Sequence, residues 1–293
     1  MAEDVQRKDD GAWIKDIVLE FANSPENNLG PGRDERAFDD PLVGFARGDD
    51  PIFDEFKRHI GEFFWTPAAI FEKTFPGSRT KPGELTVISW VLPQTKQTKL
   101  DSRREKVYPS ERWARNRLFG EQFNAKLRNH VVKVLTGAGY PAVAPGISPF
   151  WDMKMSERYG FASTWSERHA AYAAGLGTFG LCDGIITPVG KAIRCGSVVA
   201  RIAVAPTERP YKNHHEYCPF FADGTCGKCI ERCPVGALSA AGHDKGKCRA
   251  YVDGAAQDYI RSHYQIDIYG CGLCQTKVPC ESRIPARRKT PRT

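Results

Sequence analysis

The chain has 293 residues, enough for one large domain or two smaller ones, and its 41% hydrophobic and 26% charged residues are ordinary for a globular protein. No apolar run approaches the roughly 18–20 residues that cross a bilayer. The polar N-terminus MAEDVQRKDD has neither the order of a secretory signal nor a twin-arginine leader, so a cytoplasmic protein with no membrane partner is expected. The formal charge of +7 hints at an anionic partner, but the basic residues are scattered apart from the tail Arg283, Arg287, Arg288, Lys289 and Arg292, which reads as a solvated end.

Trp13, Ile14, Ile17, Val18 and Phe21 recur at helical spacing, and Ser24-Pro25 with Leu29-Gly30-Pro31-Gly32 stops that helix. Residues 52–64 repeat the pattern through Ile52, Phe53, Phe56, Ile60, Phe63 and Phe64. Glu84 to Leu92 is β-branched and apolar, a buried strand closed by Pro93. Ala114 to Leu135 reads as a long helix ended by Gly137-Ala138-Gly139. Ala142 to Ser148 is a short extended stretch, and Glu167 to Ala174 is a helix with Ser166 as its cap and Glu167-Arg168 as a helix-start charge pair. Gly184 to Pro188 and Ile193 to Ala205 read as strands joined around Val189-Gly190-Lys191. This mixture predicts an α+β domain over residues 1–206, followed by a second domain over 207–293 that is too turn-rich for a large apolar core.

All ten cysteines lie at or beyond position 182. Such crowding, with no export signal, points to metal rather than to disulfides. The runs Cys226-Gly-Lys-Cys229-Ile-Glu-Arg-Cys233-Pro234 and Cys271-Gly-Leu-Cys274 have the short gaps that wrap thiolates around an iron–sulfur cluster. The cysteine after a three-residue gap serves the other cluster. Two [4Fe–4S] clusters follow, one on Cys218, Cys226, Cys229 and Cys280, the other on Cys233, Cys248, Cys271 and Cys274. Asp223 stands where the first cysteine of a ferredoxin run is expected, which leaves it beside Cys218 as a candidate for that position. Paired C-x-x-C knuckles also make tetrahedral zinc sites, but the Cys-Pro, the interleaved spacing and the total of eight favour iron–sulfur. At about −2 per cluster, the net charge falls to roughly +3. Cys182 and Cys195 read as small buried hydrophobes.

Gly175-Leu176-Gly177-Thr-Phe-Gly180 reads as a helix cap and a turn, with close packing of chain on chain as its first explanation. The AGLG-x-x-G segment, an I-T-P-x-G strand carrying Thr187 and Gly190, and the two-cluster cysteines together resemble the epoxyqueuosine reductase and reductive dehalogenase superfamily over residues 140–293. The resemblance implies a nitroreductase-like α/β sandwich that binds a corrinoid (cobalamin), followed by a ferredoxin-like domain. It also implies a low-potential electron donor of ferredoxin or flavodoxin type and an electrophilic small-molecule substrate, epoxide or organohalide. Gly175, Leu176, Gly177, Gly180, Thr187 and Gly190 become corrinoid contacts by that resemblance. The family's proton-donating aspartate falls near Phe161, so Tyr159 is the expected substitute. The chain stops soon after the cysteines, which implies a short form without the helical-repeat extension and makes tRNA an unlikely partner. The competing reading is a dicluster ferredoxin-type electron-transfer protein without corrinoid.

Overall fold

The computed structural model describes residues 10–286. In chain order its elements begin with α1 (Asp10–Ala22), β1 (Leu42–Arg47), α2 (Ile52–Ile60), α3 (Pro67–Thr74), β2 (Thr86–Pro93), α4 (Lys96–Arg104), α5 (Glu111–Arg115) and α6 (Glu121–Gly137). They continue with β3 (Ala142–Val143), β4 (Met153–Ser156), β5 (Gly160–Ser163), α7 (Glu167–Ala173), β6 (Thr178–Phe179), β7 (Ile185–Ile186) and β8 (Ile193–Ala200). The cysteine-rich part adds α8 (Pro219–Asp223), α9 (Lys228–Glu231), β9 (Leu238–Ser239), β10 (Gly242–His243), α10 (Lys245–Tyr251) and α11 (Gln257–Tyr264).

The fold is mixed α and β, built on an antiparallel sheet of order β1-β2-β8-β3. Its central strand β2 is buried at every position, because alternate side chains serve different layers. Ile88, Trp90 and Leu92 pack with α1 and α6, whereas Val87 and Val91 pack with α2, α3 and α7. Burying such β-branched and aromatic side chains contributes about 1.5–3 kcal/mol each. Ser89 and Ser197 face each other across β2 and β8, and they make a polar spot between apolar neighbours.

The buried strand and the first helix lie where the sequence places them. The long helix differs. It starts earlier, at Glu111, and passes through a wide π turn at Asn116–Gly120 before α6. Asn116 is fully buried there, donating to the Ala37 carbonyl at 2.8 Å and accepting from Gln94 at 2.7 Å. Such bulges gather near functional sites because they re-aim side chains. The strands after residue 184 also differ: β7 pairs with β6, and β8 joins the central sheet. Ser166 begins α7 without capping it, because its hydroxyl meets His169 Nδ1 at 2.8 Å.

No described helix is long and apolar enough to cross a membrane. Of the basic tail, Arg287, Arg288, Lys289 and Arg292 lie outside the described residues.

Candidate functional site

Turns and short helices carry the expected cysteine ligands. Cys218 precedes Pro219 at the start of α8, and the short α9 holds Cys229 with Cys233 just beyond it. Cys248 lies on α10, whose N-cap Asp244 accepts from the Lys247 N–H. Gly272, at φ 71°, opens the single 3₁₀ turn that carries Cys274. Cys218, Cys226, Cys229 and Cys280 line one small cavity with Phe220 and Val278. Cys271 lies within electrostatic reach of Cys248 and Cys233, and Cys274 within reach of Cys271. The expected first set thus shares one cavity, while among the described residues no three His, Cys, Asp or Glu side chains stand together in the arrangement that holds a single metal ion. Asp223 instead points outward and accepts from the Thr225 N–H and hydroxyl, so Cys218 occupies the cavity position. Burial pushes the Cys271 and Cys229 thiols up to about 12 and Cys280 to about 11, so thiolates there need cationic charge beside them. The Ala237 N–H donates to Cys233 Sγ at 3.2 Å, a contact of the kind that tunes a cluster.

A larger cavity of about 620 Å³ opens beside the second cysteine set, with Cys271 and Cys274 in its wall. That volume lies within the range of small-molecule sites. Trp113, Trp151, Trp165 and Tyr269 give it aromatic surfaces, and Glu121, Arg128, Glu167 and Arg194 give it charge. These four form one chain of ion pairs: Arg194 to Glu121 at 2.6 Å, Arg128 to Glu121 at 3.0 Å, and Arg128 to Glu167 at 3.2 Å. Burial works against the charge of Glu121, but Arg194 and Arg128 outweigh it and hold its carboxyl below the usual range. Glu167 goes the other way, because burial raises it more than Arg128 and Ser197 lower it. The Ser197 hydroxyl donates to Glu167 Oε2 at 2.5 Å and accepts from Trp165 Nε1 at 3.0 Å. The Arg128–Glu167 contact is misaligned, so Arg128 Nε and Glu167 Oε1 are left without hydrogen bonds, as are Arg194 Nε and Gln94 Oε1. All four residues line this cavity. Gly146 makes room for the carboxylate, since a Cβ there would sit 2.2 Å from Glu167 Oε1.

The glycine-rich segment lies behind this cavity rather than in its wall. Gly175, at φ 79°, ends α7 in a Schellman turn, with the Leu176 N–H donating to Ala171 and the Gly175 N–H to Tyr172. A Cβ at Gly177 would sit 2.1 Å from the Ile186 carbonyl, and one at Gly190 would sit 2.2 Å from the Glu281 carbonyl. Leu176 is in the apolar core, the Gly180 N–H donates to Gly184, and the buried Thr187 hydroxyl donates to Gly190 at 2.7 Å. Chain packs on chain here, and the wall is formed instead by Cys182, Gly184 and Ile185. Tyr159 is displaced too. It is 42% exposed at the tip of the β4–β5 hairpin, between Arg158 and Lys245, and does not line the cavity.

Three residues acquire neighbours that sequence reasoning missed. Cys182 is not merely a buried hydrophobe, because its Sγ accepts from Lys191 Nζ at 3.2 Å and it adjoins Cys274. Burial works against the Lys191 charge, but the sulfurs of Cys182, Cys280, Cys274 and Cys229 outweigh it. His243 meets Asp183 at 2.9 Å and also faces Cys248, and these partners raise it to about 10. Cys195 is buried, with its thiol pushed up to about 12 by that burial, and it is also part of the large cavity's lining.

Residues 224–281 match the 4Fe-4S double cluster binding domain, a segment that contains every proposed ligand except Cys218. Over 119 residues the chain is 34% identical to epoxyqueuosine reductases of Bacillus anthracis and Bacillus cereus. The resemblance to the epoxyqueuosine reductases holds. The matched stretch is 39% of this chain and 29% of each of these curated relatives. Among solved structures, an epoxyqueuosine reductase determined with a tRNA-Tyr epoxyqueuosine-modified stem loop aligns with 92% of this chain and 66% of its own, at 18% identity and TM-score 0.45. A reductive dehalogenase described in terms of B12-dependent dehalogenation aligns with 83% of this chain and 30% of its own, at 16% identity and TM-score 0.48. One expectation is overturned. The curated relatives are named epoxyqueuosine reductase, and a separate structure of a protein of that name was determined with a tRNA stem loop, so the expectation that tRNA is an unlikely partner is withdrawn.

Proposed function

We propose that this chain is a reductase in which two [4Fe–4S] clusters deliver electrons to a corrinoid in the large cavity, where an electrophilic substrate is reduced. One observation carries the reading: Cys271 and Cys274 stand in the wall of the same cavity that the Glu167–Arg128 pair lines. In this reading residues 1–206 supply the substrate side and residues 207–293 the clusters.

The donor chemistry of the cavity fits a corrinoid, whose rim carries amides that both donate and accept. The orphaned Gln94 Oε1 accepts, the orphaned Arg128 Nε and Arg194 Nε donate, and the tryptophans offer flat apolar surface. These residues would hold the group, with the glycine-rich turn of Gly175, Leu176, Gly177, Gly180, Thr187 and Gly190 setting the path of the wall behind them. When bound, the clusters carry single low-potential electrons and the corrinoid is the reducing centre for an epoxide or organohalide. The chain's own part is binding, exclusion of water and proton supply. Glu167 is the acid. Its raised pKa keeps a proton on the carboxyl nearer neutrality, the Ser197 hydroxyl fixes Oε2, and Glu167 is part of the cavity lining. Arg128 holds the carboxylate that remains after transfer.

The first substrate to test is a stem loop bearing epoxyqueuosine, since the curated relatives take their name from it. Anaerobic purification with cobalamin supplied is expected to give stoichiometric cobalt with full iron. Full iron without cobalt would leave an electron-transfer protein and overturn the corrinoid reading. Binding of the stem loop should weaken steeply with salt.

A further inference from the structure

Lys191 is 2% exposed, yet it lines both cavities, the small one around Cys218, Cys226, Cys229 and Cys280 and the large one beside Cys271 and Cys274. Its backbone N–H donates to the Cys280 carbonyl at 2.8 Å, which pins it to the ligand segment. Its Nζ reaches Cys182 Sγ at 3.2 Å, and its charge acts on Cys280 and Cys229 of one set and Cys274 of the other. Among the described residues it makes no ion pair with a carboxylate. An ammonium withdrawn from water loses several kcal/mol of hydration unless negative charge surrounds it. Two four-thiolate sites at about −2 each are that charge.

We propose that Lys191 is a positioning residue that fixes one positive charge between the two cluster sites and raises the reduction potential of both, with Cys182 orienting its ammonium. Each reduction adds an electron and makes a site more negative. A cation in a dry interior stabilises that reduced state, and the net charge near a cluster is one of the levers that set its potential. The inference rests on the double-cluster reading and is independent of the corrinoid. It also explains why Cys182, outside the eight ligands, is kept among them: its sulfur is the acceptor that aims Nζ.

The test is a redox titration of the anaerobic holoprotein followed by EPR. Lys191→Met is expected to move both midpoint potentials to more negative values, and Lys191→Arg to keep them near the wild type. Unchanged midpoints in K191M at full iron loading would overturn the proposal. Should K191M hold too little iron to titrate, wild-type protein labelled with ¹⁵N-lysine decides. With the label on the ε-nitrogen, a lysine coupling to the reduced clusters in pulsed EPR that disappears in labelled K191R supports the proposal, and no coupling, or one unchanged in K191R, defeats it, since Lys228, Lys247 and Lys277 also lie near ligand cysteines in the chain. Cys182→Ala should retain all its iron. Loss of a cluster from C182A would make Cys182 a ligand and overturn its role as partner to Lys191. Wild-type protein that binds no iron at all would instead sink the double-cluster reading itself.

Discussion

Residues 86–93 bury every side chain between two apolar layers, whereas the buried cluster around the first cysteine set joins Cys182, Cys218, Cys229 and Cys280 to Leu181, Ile186, Leu238 and Val278. The first region has hydrophobic surface to spare. The second has sulfur at half of its buried positions where the first has valine, isoleucine, tryptophan and leucine, and its burial becomes favourable only once thiolates have a metal to bind. The sheet is therefore expected to fold on its own interactions, and the cysteine region to depend on iron.

Four measurements sharpen or break that contrast. The largest expected effect is from iron removal. After chelation, amide exchange over residues 218–280 should rise to the level of an open chain while β2 and β8 stay protected, and equal loss in both regions would erase the distinction. Next is Trp90→Ala, which removes a fully buried ring and the bond from its Nε1 to Asn124 Oδ1 at 3.0 Å. It should cost about 3–5 kcal/mol in urea unfolding. Third, Glu167→Gln should lower turnover by roughly 10²-fold or more with cluster spectra unchanged. Because the folded state holds the Glu167 proton more tightly, stability falls as pH rises from the ordinary value of 4.5 through the raised folded value. E167Q should abolish that slope, and wild-type activity should fall over the same window as the acid is lost. The smallest effect is from Lys228→Ala, which breaks an exposed pair with Glu231 at 2.9 Å. It should change stability by about 0–0.5 kcal/mol and leave the iron content as it was.

How much of this was legible in the sequence follows from how local each signal is. The buried strand at Thr86–Pro93 shows itself because β-branched residues with a closing proline are a local pattern. The cysteine sets show themselves because their gaps are short and chemistry limits what such gaps do. Glu167 looked like a helix-start charge because its partners, Arg128 on α6 and Ser197 on β8, meet it only through the tertiary fold. Lys191 carries no pattern at all, being a single lysine between two strands. The glycine-rich turn was legible as close packing, and the resemblance alone pointed it at a ligand. Tyr159 was reached by alignment to a loop whose hairpin turns it outward.

Arg232, next to Cys233, donates to the carbonyls of Leu273 and Thr276 in the second ligand loop and to those of Ser102 and Glu105 at the end of α4. One side chain thus ties the second ligand loop to a segment that lies much earlier in the chain. A chain emerging N-terminal first has α4 in place before residues 271–280 leave the ribosome. The guanidinium can gather all four carbonyls only after the second ligand loop has come back to the end of α4, so this clasp is a late contact whose closing reports that the loop has arrived.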